Sequence, residues 1–498
     1  MAVSPFLKWL PWRFIIRRAA RSQGILDPIL LLTRLARFGK LGDIGTPGDL
    51  LRAGAMLHAR GLINNQAIQH NLDWIWPYWV TRQFDPQDVS FVPRAFSLTH
   101  INLTHRNWTA VGLPTGGEMP IVDPAGLVTP FFDGWSVDAW IVFTPVSHRD
   151  PDLIPSRCRD VSQRMDWAQG LAIRTASRSR DGATLDSIAR VEVEGNQPAC
   201  VIDLEASARA AGDPEAPDTP AAWLAVSFRP YNPEGVSFIH QISAQEGGQH
   251  WRVNGDRTAR FSEIPNRFRL SEYAEGDVYN RMFEEDEPGR GEIACPVGMA
   301  TGAALFQIPP GGTRRITLTI PQEKPDKPVV PAVIAETPAA GAWQESLSGA
   351  CRLSTADHRT QYLYDAALRT LVLHSGEQVY AGPYTYRRFW VRDASLILQT
   401  LLCLNLVERA GGFIEDLLDR QRPSGYFHSH DGEWDANGEV LWFLERFCRL
   451  SGRAPRSEWS RPVRKAADWI IAKRLPRQGE EPHAGLLPPG FSAEHFVP

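Results

Sequence analysis

The chain has 498 residues, 43% hydrophobic and 22% charged, with a formal charge of -4 and an isoelectric point near 6.4. This is enough length for about three domains with ordinary cores, and the charge balance argues against nucleic acid as a partner. No apolar run reaches the roughly 18 residues of a membrane span, and no nucleotide-binding glycine loop, GxSxG elbow or HExxH helix occurs.

The six cysteines (158, 200, 295, 351, 403 and 448) form no CxxC pair and no Cys/His cluster. They are expected as free thiols in a reducing, cytoplasmic setting, with Cys403 and Cys448 buried on apolar helix faces. The first residues lack a clean cleavage site and are not read as a signal peptide.

Residues 1–90 are expected to be a helical N-terminal segment. Phe6, Leu7, Leu10, Phe14 and Ile15 alternate with Arg13, Arg17 and Arg18, a basic amphipathic pattern that suits docking on the protein's own body or, as the weaker alternative, peripheral contact with an anionic membrane. A helix N-capped by Thr46 with Pro47 at its first position follows. The cluster Trp74, Trp76, Tyr78 and Trp79 around Pro77 is expected as a plug between domains.

Residues 91–320 change to short alternating runs, such as Trp223–Phe228 and Arg315–Ile320, separated by turn residues at Asn254-Gly255 and Pro310-Gly311-Gly312. They predict an antiparallel β-sandwich. Residues 321–342, rich in proline and alanine, are expected as a linker. From 343 to 498 the period is helical, with helices predicted at 357–373, 390–406, 408–421, 434–451 and 458–474 and a stop at Gly452.

The stretch Tyr384 to Leu398 (YTYRRFWVRDASLIL) brings an aromatic and basic approach into Trp390-Val391-Arg392-Asp393 and then into an apolar helical pattern with Leu396, Ile397, Leu401 and Leu402. It presents an Arg-Asp pair at a helix start, where the N-terminal field and the guanidinium favour a carboxylate. Gly432 to Glu439 (GEWDANGE) opens the helix predicted at 434–451 with a second acidic cluster, Glu433, Asp435 and Glu439; the last two share a helix face. His428, His430 and Asp431 are read as polar loop, so neither a metal site nor a cofactor is expected.

These two stretches, with Gly485 to His495 (GLLPPGFSAEH), resemble the glucoamylase-like clan of six-hairpin glycosidases, whose (α/α)6 toroid follows a β-supersandwich. The resemblance implies a multidomain α and β fold: the N-terminal segment, an antiparallel supersandwich, the linker and the first part of a toroid. It implies that Arg392 and Asp393 grip the terminal sugar, that Trp390 and Trp434 wall the pocket, that Asp435 contacts substrate, and that Glu494 is the candidate general acid. The expected ligand is an oligosaccharide and the expected activity inverting exo-hydrolysis of α-linked chains, with phosphorolysis or a non-catalytic, truncated carbohydrate-binding protein as alternatives. The clan's toroid has twelve helices and the general base comes late in it. The chain is therefore expected to be part of a longer polypeptide, or to be completed by a second chain, and to lack the base itself.

Overall fold

A computed structural model describes residues 61–87 (except 62, 65, 84 and 86), 107–144, 152–194 (except 169), 197–208, 220–284, 290–322, 339–476 (except 385, 430 and 431) and 484–490 (except 489). The expectations for residues 1–60, for most of the linker and for Glu494 lie outside the described residues.

Two antiparallel sheets face one another across an extended hydrophobic core. One has seven strands; its long members Ser136–Thr144, Ala221–Arg229, Thr301–Gln307 and Arg267–Ser271 lie side by side in that order. The other has nine, built around Thr313–Pro321, Gln197–Ser207 and Thr184–Glu194. Alternation along these strands places Leu204, Ile202, Leu318 and Ile316 inward from one sheet, and Phe228, Val226, Leu224 and Phe306 inward from the other. The predicted turns fall where they are needed. Asn254 and Gly255 adopt positive φ (53° and 78°) between His250–Val253 and Arg257–Phe261. Gly311 (φ 64°) turns the chain from one sheet into the other.

The tryptophan cluster forms a second core, in which Trp74, Trp76 and Trp79 bury against Tyr231 and Met299. What holds it is polar. Arg229 and Asp277 are both fully buried and joined by two hydrogen bonds of 2.6 Å. Asp277 also accepts from the Ile75 amide at 2.8 Å, while Arg229 donates to the Ile75 carbonyl at 2.9 Å and to the Tyr231 hydroxyl at 2.8 Å. The segment around Ile75 is clamped through its own peptide groups.

Asp123, 1% exposed, turns the chain between two strands by accepting from the Ala125 and Leu127 amides at 2.8 and 3.0 Å. Burial raises its pKa to about 7, and the charge of Asp138 adds to the rise. A carboxyl group whose folded pKa lies above its unfolded one stabilises fully below the unfolded value and loses that contribution as pH climbs through the folded one. Stability is therefore expected to fall between about pH 4 and pH 7 by up to about 1.4 kcal/mol per pH unit from this group. Asp123→Asn flattens that slope in urea titrations at pH 5 and pH 7, and an unchanged slope refutes the assignment.

The helical part begins at Ala339–Ser346, whose first half, 339–342, falls in the stretch expected as linker; Trp343, just past it, anchors the helix, since its ring is buried and its Nε1 donates to the Gly112 carbonyl of the sandwich at 3.2 Å. His358–Leu373 follows, capped by Asp357, and then Val391–Cys403. The single helix expected at 408–421 is two, Val407–Gly412 and Ile414–Asp419, because Gly411-Gly412 interrupt it. Ala436–Ser451 ends on Gly452 in the left-handed conformation, and Ser460–Lys473 closes the set. Cys403 is exposed and Cys448 half-buried, correcting the expectation of buried thiols; Cys403 ends its helix one residue past the face that carries Leu398, Leu401 and Leu402 inward. All six cysteines are free.

Candidate functional site

The helices Val391–Cys403 and Ala436–Ser451 pack side by side, with the Arg392 and Asp435 ends together. Arg392 Nη2 donates to Asp435 Oδ2 at 2.8 Å and Nε to the same oxygen at 3.3 Å, with Glu439 Oε1 3.5 Å from Nε. One guanidinium thus serves two carboxylates spaced four residues apart on one helix face. Lower down, Arg446 Nε bonds Gln399 Oε1 at 3.1 Å and closes the same interhelical seam.

The groove above the seam encloses about 580 Å3, with Arg392, Asp435 and Glu439 at its polar end and Leu396, Trp442 and Leu487 among its apolar walls. Leu396, expected to point into the core, is instead 54% exposed. The core side of its helix is Val391, Ala394, Leu398, Leu401 and Leu402.

The loop before Ala436 is held firmly. Buried Asn437 accepts from the Phe427 amide at 2.7 Å and donates to the Gly425 and Ala466 carbonyls at 3.0 and 3.2 Å. Tyr426 donates its hydroxyl to the Glu433 carbonyl at 3.0 Å and stacks on Trp469. Gly490 lies against this loop so closely that a Cβ there would sit 2.4 Å from the Gly432 carbonyl oxygen. Only glycine fits at that approach.

Three carboxyl groups converge here: oxygens of Glu433, Asp435 and Glu439 lie within 4.8 Å of one another. Burial, then the charges of Glu439 and Asp435, raise Glu433 to about 8; burial and the Asp435 charge raise Glu439 to about 7. Burial and mutual repulsion thus favour the protonated forms of Glu433 and Glu439, while Arg392 offsets Asp435, and the groove presents both donors and acceptors.

Of the residues singled out from the sequence, Arg392 and Asp435 come together at the groove. Asp393 stands on the first turn beside Arg392, and Trp390 is half-buried just before it; neither lines the groove. The Trp434 ring packs against Tyr426 and Trp469, and Lys473 Nζ sits 3.9 Å from its centroid. The loop that leads toward Glu494 reaches the site through Leu487 and Gly490. Trp442 was not anticipated, although its spacing from Asp435 and Glu439 places all three on one helical face.

No protein-family model matches the sequence, and no curated protein matches it significantly. Among solved structures it is similar to a bacterial glucoamylase complexed with acarbose, at 11% identity and a TM-score of 0.47, over 73% of this chain and 59% of that one. It is also similar to a protein described as a kojibiose phosphorylase from the human microbiome, at 6% identity and a TM-score of 0.36, over 69% and 50%. A third is a GH92-family glycosyl hydrolase, at 12% identity and a TM-score of 0.28, over 79% and 66%. The chain thus spans little more than half the length of the glucoamylase. The glucoamylase among them bears the name of the clan that the Trp390–Ala394 and Gly432–Glu439 motifs resemble.

Proposed function

We propose that this chain is the substrate-gripping part of a carbohydrate-active protein: an inverting exo-glycosidase on α-linked oligosaccharides, bound at the non-reducing end. In this reading the helices from 339 onward belong to an (α/α)6 toroid, and the paired sheets are its supersandwich scaffold. The observation that carries it is the groove's polar end. A guanidinium held between Asp435 and Glu439, above an indole wall at Trp442, offers donors and acceptors to vicinal hydroxyls and a flat apolar surface to a sugar ring.

The carboxyl cluster is assigned to binding, not to the acid–base pair. Inverting hydrolysis needs carboxyl groups about 6.5–9.5 Å apart, with water between them, and these three are closer. Glu494 is the candidate general acid in this reading.

Calorimetric titration with maltotetraose tests the reading. Asp435→Ala is expected to weaken binding at least tenfold, since it removes a charged hydrogen-bond partner from the polar end of the groove, worth about 1.5–3 kcal/mol. Unchanged affinity removes the Arg392–Asp435 pair from the site. No binding by the unaltered chain overturns the carbohydrate reading, and a dependence of turnover on inorganic phosphate replaces hydrolysis with phosphorolysis.

A further inference from the structure

A second cavity, of about 570 Å3, opens where the sandwich meets the helices. The sandwich contributes the turn that carries Trp167, and the helical part contributes Ala339–Ser346, residues 347–353 and one face of His358–Leu373. Beside it the two parts are joined, the Met165 amide donating to the Tyr362 hydroxyl at 2.8 Å and the Trp167 and Tyr362 rings stacking at 5.4 Å. Arg369 is the unusual group in the cavity. Its guanidinium carbon stands over the Trp167 ring, 4.4 Å from the centroid, and its side chain is 15% exposed. A guanidinium covered by an indole has its face occupied, and the N–H groups on its edge seek acceptors in the plane. Here that edge is poorly matched. Nη1 donates to the Asp365 carbonyl at 2.9 Å, and Nε and Nη2 have no acceptor among the described residues. The Asp365 carboxylate is 3.9 Å from Nη1, and its other oxygen already accepts from Gln361 at 3.0 Å. Burial lowers the Arg369 pKa, and the charge of Asp365 does not offset it. Arg352, exposed on the lining of the same cavity, adds a second cation that has no ion-pair partner among the described residues.

We propose that this cavity is a second ligand site, which takes a small hydroxylated organic acid by its carboxylate or phosphate group through the open edge of Arg369, with Arg352 in support. An oxyanion supplies the in-plane acceptors that the protein does not, and a charge-assisted pair of this kind is stronger than a neutral one. The volume admits far more than a bare ion. The Asp365 carboxylate and the Gln361 amide beside it suit hydroxyl groups on the same molecule. The cavity shares no lining residue with the groove at Arg392, so it stands or falls independently of the oligosaccharide reading.

Calorimetric titration of the full chain with glucuronate and with glucose 6-phosphate, against neutral glucose, tests the proposal. At least one acid is expected to bind more tightly than glucose, and which of the two does so identifies the anionic group. Arg369→Met keeps an apolar stem on Trp167 and removes the charge. It is expected to weaken the acid by about tenfold or more, the scale of a hydrogen bond to a charged group, while maltotetraose affinity stays as it was. Arg369→Lys is expected to restore little, since a point charge does not reproduce the planar edge. The proposal is wrong if neither acid binds at millimolar concentration, if glucose binds as tightly as both, or if Arg369→Met binds the acid as the native chain does. Should the methionine variant not fold, Arg352→Ala, at an exposed position, takes its place: a smaller loss of the same sign is expected, and unchanged affinity counts against the site. A chain that binds the acid but no maltotetraose keeps this proposal and loses the oligosaccharide reading, and the reverse result does the opposite.

Discussion

Asp277→Ala is expected to cost about 3–5 kcal/mol, the largest effect of any single substitution in the sandwich, because it strands a buried guanidinium. Arg229 is 0% exposed, and both of its terminal nitrogens bond Asp277. Without the carboxylate it keeps the neutral acceptors at Ile75, Tyr231 and Ser227. The Ile75 amide loses its acceptor in the same stroke. A urea midpoint followed by tryptophan fluorescence reports the loss and shows whether Trp74, Trp76 and Trp79 detach first. Replacing both partners with leucine is expected to cost clearly less than the single change, since no charge is left unpaired. A single-variant loss below about 1 kcal/mol means that water reaches the pair, contrary to its burial.

Arg392→Ala is expected to lower oligosaccharide affinity by about a hundredfold or more, and Arg392→Lys to restore little of it. Two charge-assisted hydrogen bonds at about 1.5–3 kcal/mol each set the scale. Lysine presents a point charge where Asp435 and Glu439 are served by a planar fork. The same change removes the guanidinium whose charge holds Glu433 and Glu439 down, so both carboxyl groups move further upward in pKa. Calorimetry at pH 6 and pH 8 measures both effects. An affinity within tenfold of the native protein at either pH would show that the ligand sits away from the guanidinium.

Much of this architecture is written locally. The helices at His358–Leu373, Val391–Cys403 and Ala436–Ser451 lie within a few residues of their predicted limits, because their apolar spacing, the Asp357 cap and the Gly452 stop act over one or two turns. The hairpin at Asn254-Gly255 is legible for the same reason. What depends on distant partners is not. Nothing near Arg229 in the sequence announces Asp277, 48 residues on, and nothing near Trp343 announces the Gly112 carbonyl that starts a helix inside an apparent linker. At the site, Arg392 and Asp435 were each identifiable as charged residues at helix starts. Their bond exists only once the hairpins pack. Trp434 illustrates the converse: the resemblance implied a wall for a sugar, and its ring is engaged by Tyr426, Trp469 and Lys473.

Asn437 is followed by Gly438, the dipeptide in which the next backbone nitrogen most readily attacks the side-chain carbonyl carbon, expelling ammonia to form a succinimide that water then opens to aspartate or isoaspartate. In the folded protein that amide is bonded on both sides within a helical turn, which keeps the reacting atoms apart. In the unfolded chain nothing does. The lesion is also self-sealing: an aspartate at 437 would turn a carboxylate oxygen toward the Gly425 and Ala466 carbonyls where the amide now donates, so an aged chain loses the knot that holds the Glu433 loop. For this protein, time spent unfolded is chemical wear at a residue that ties the Phe427 amide and the Gly425 and Ala466 carbonyls together.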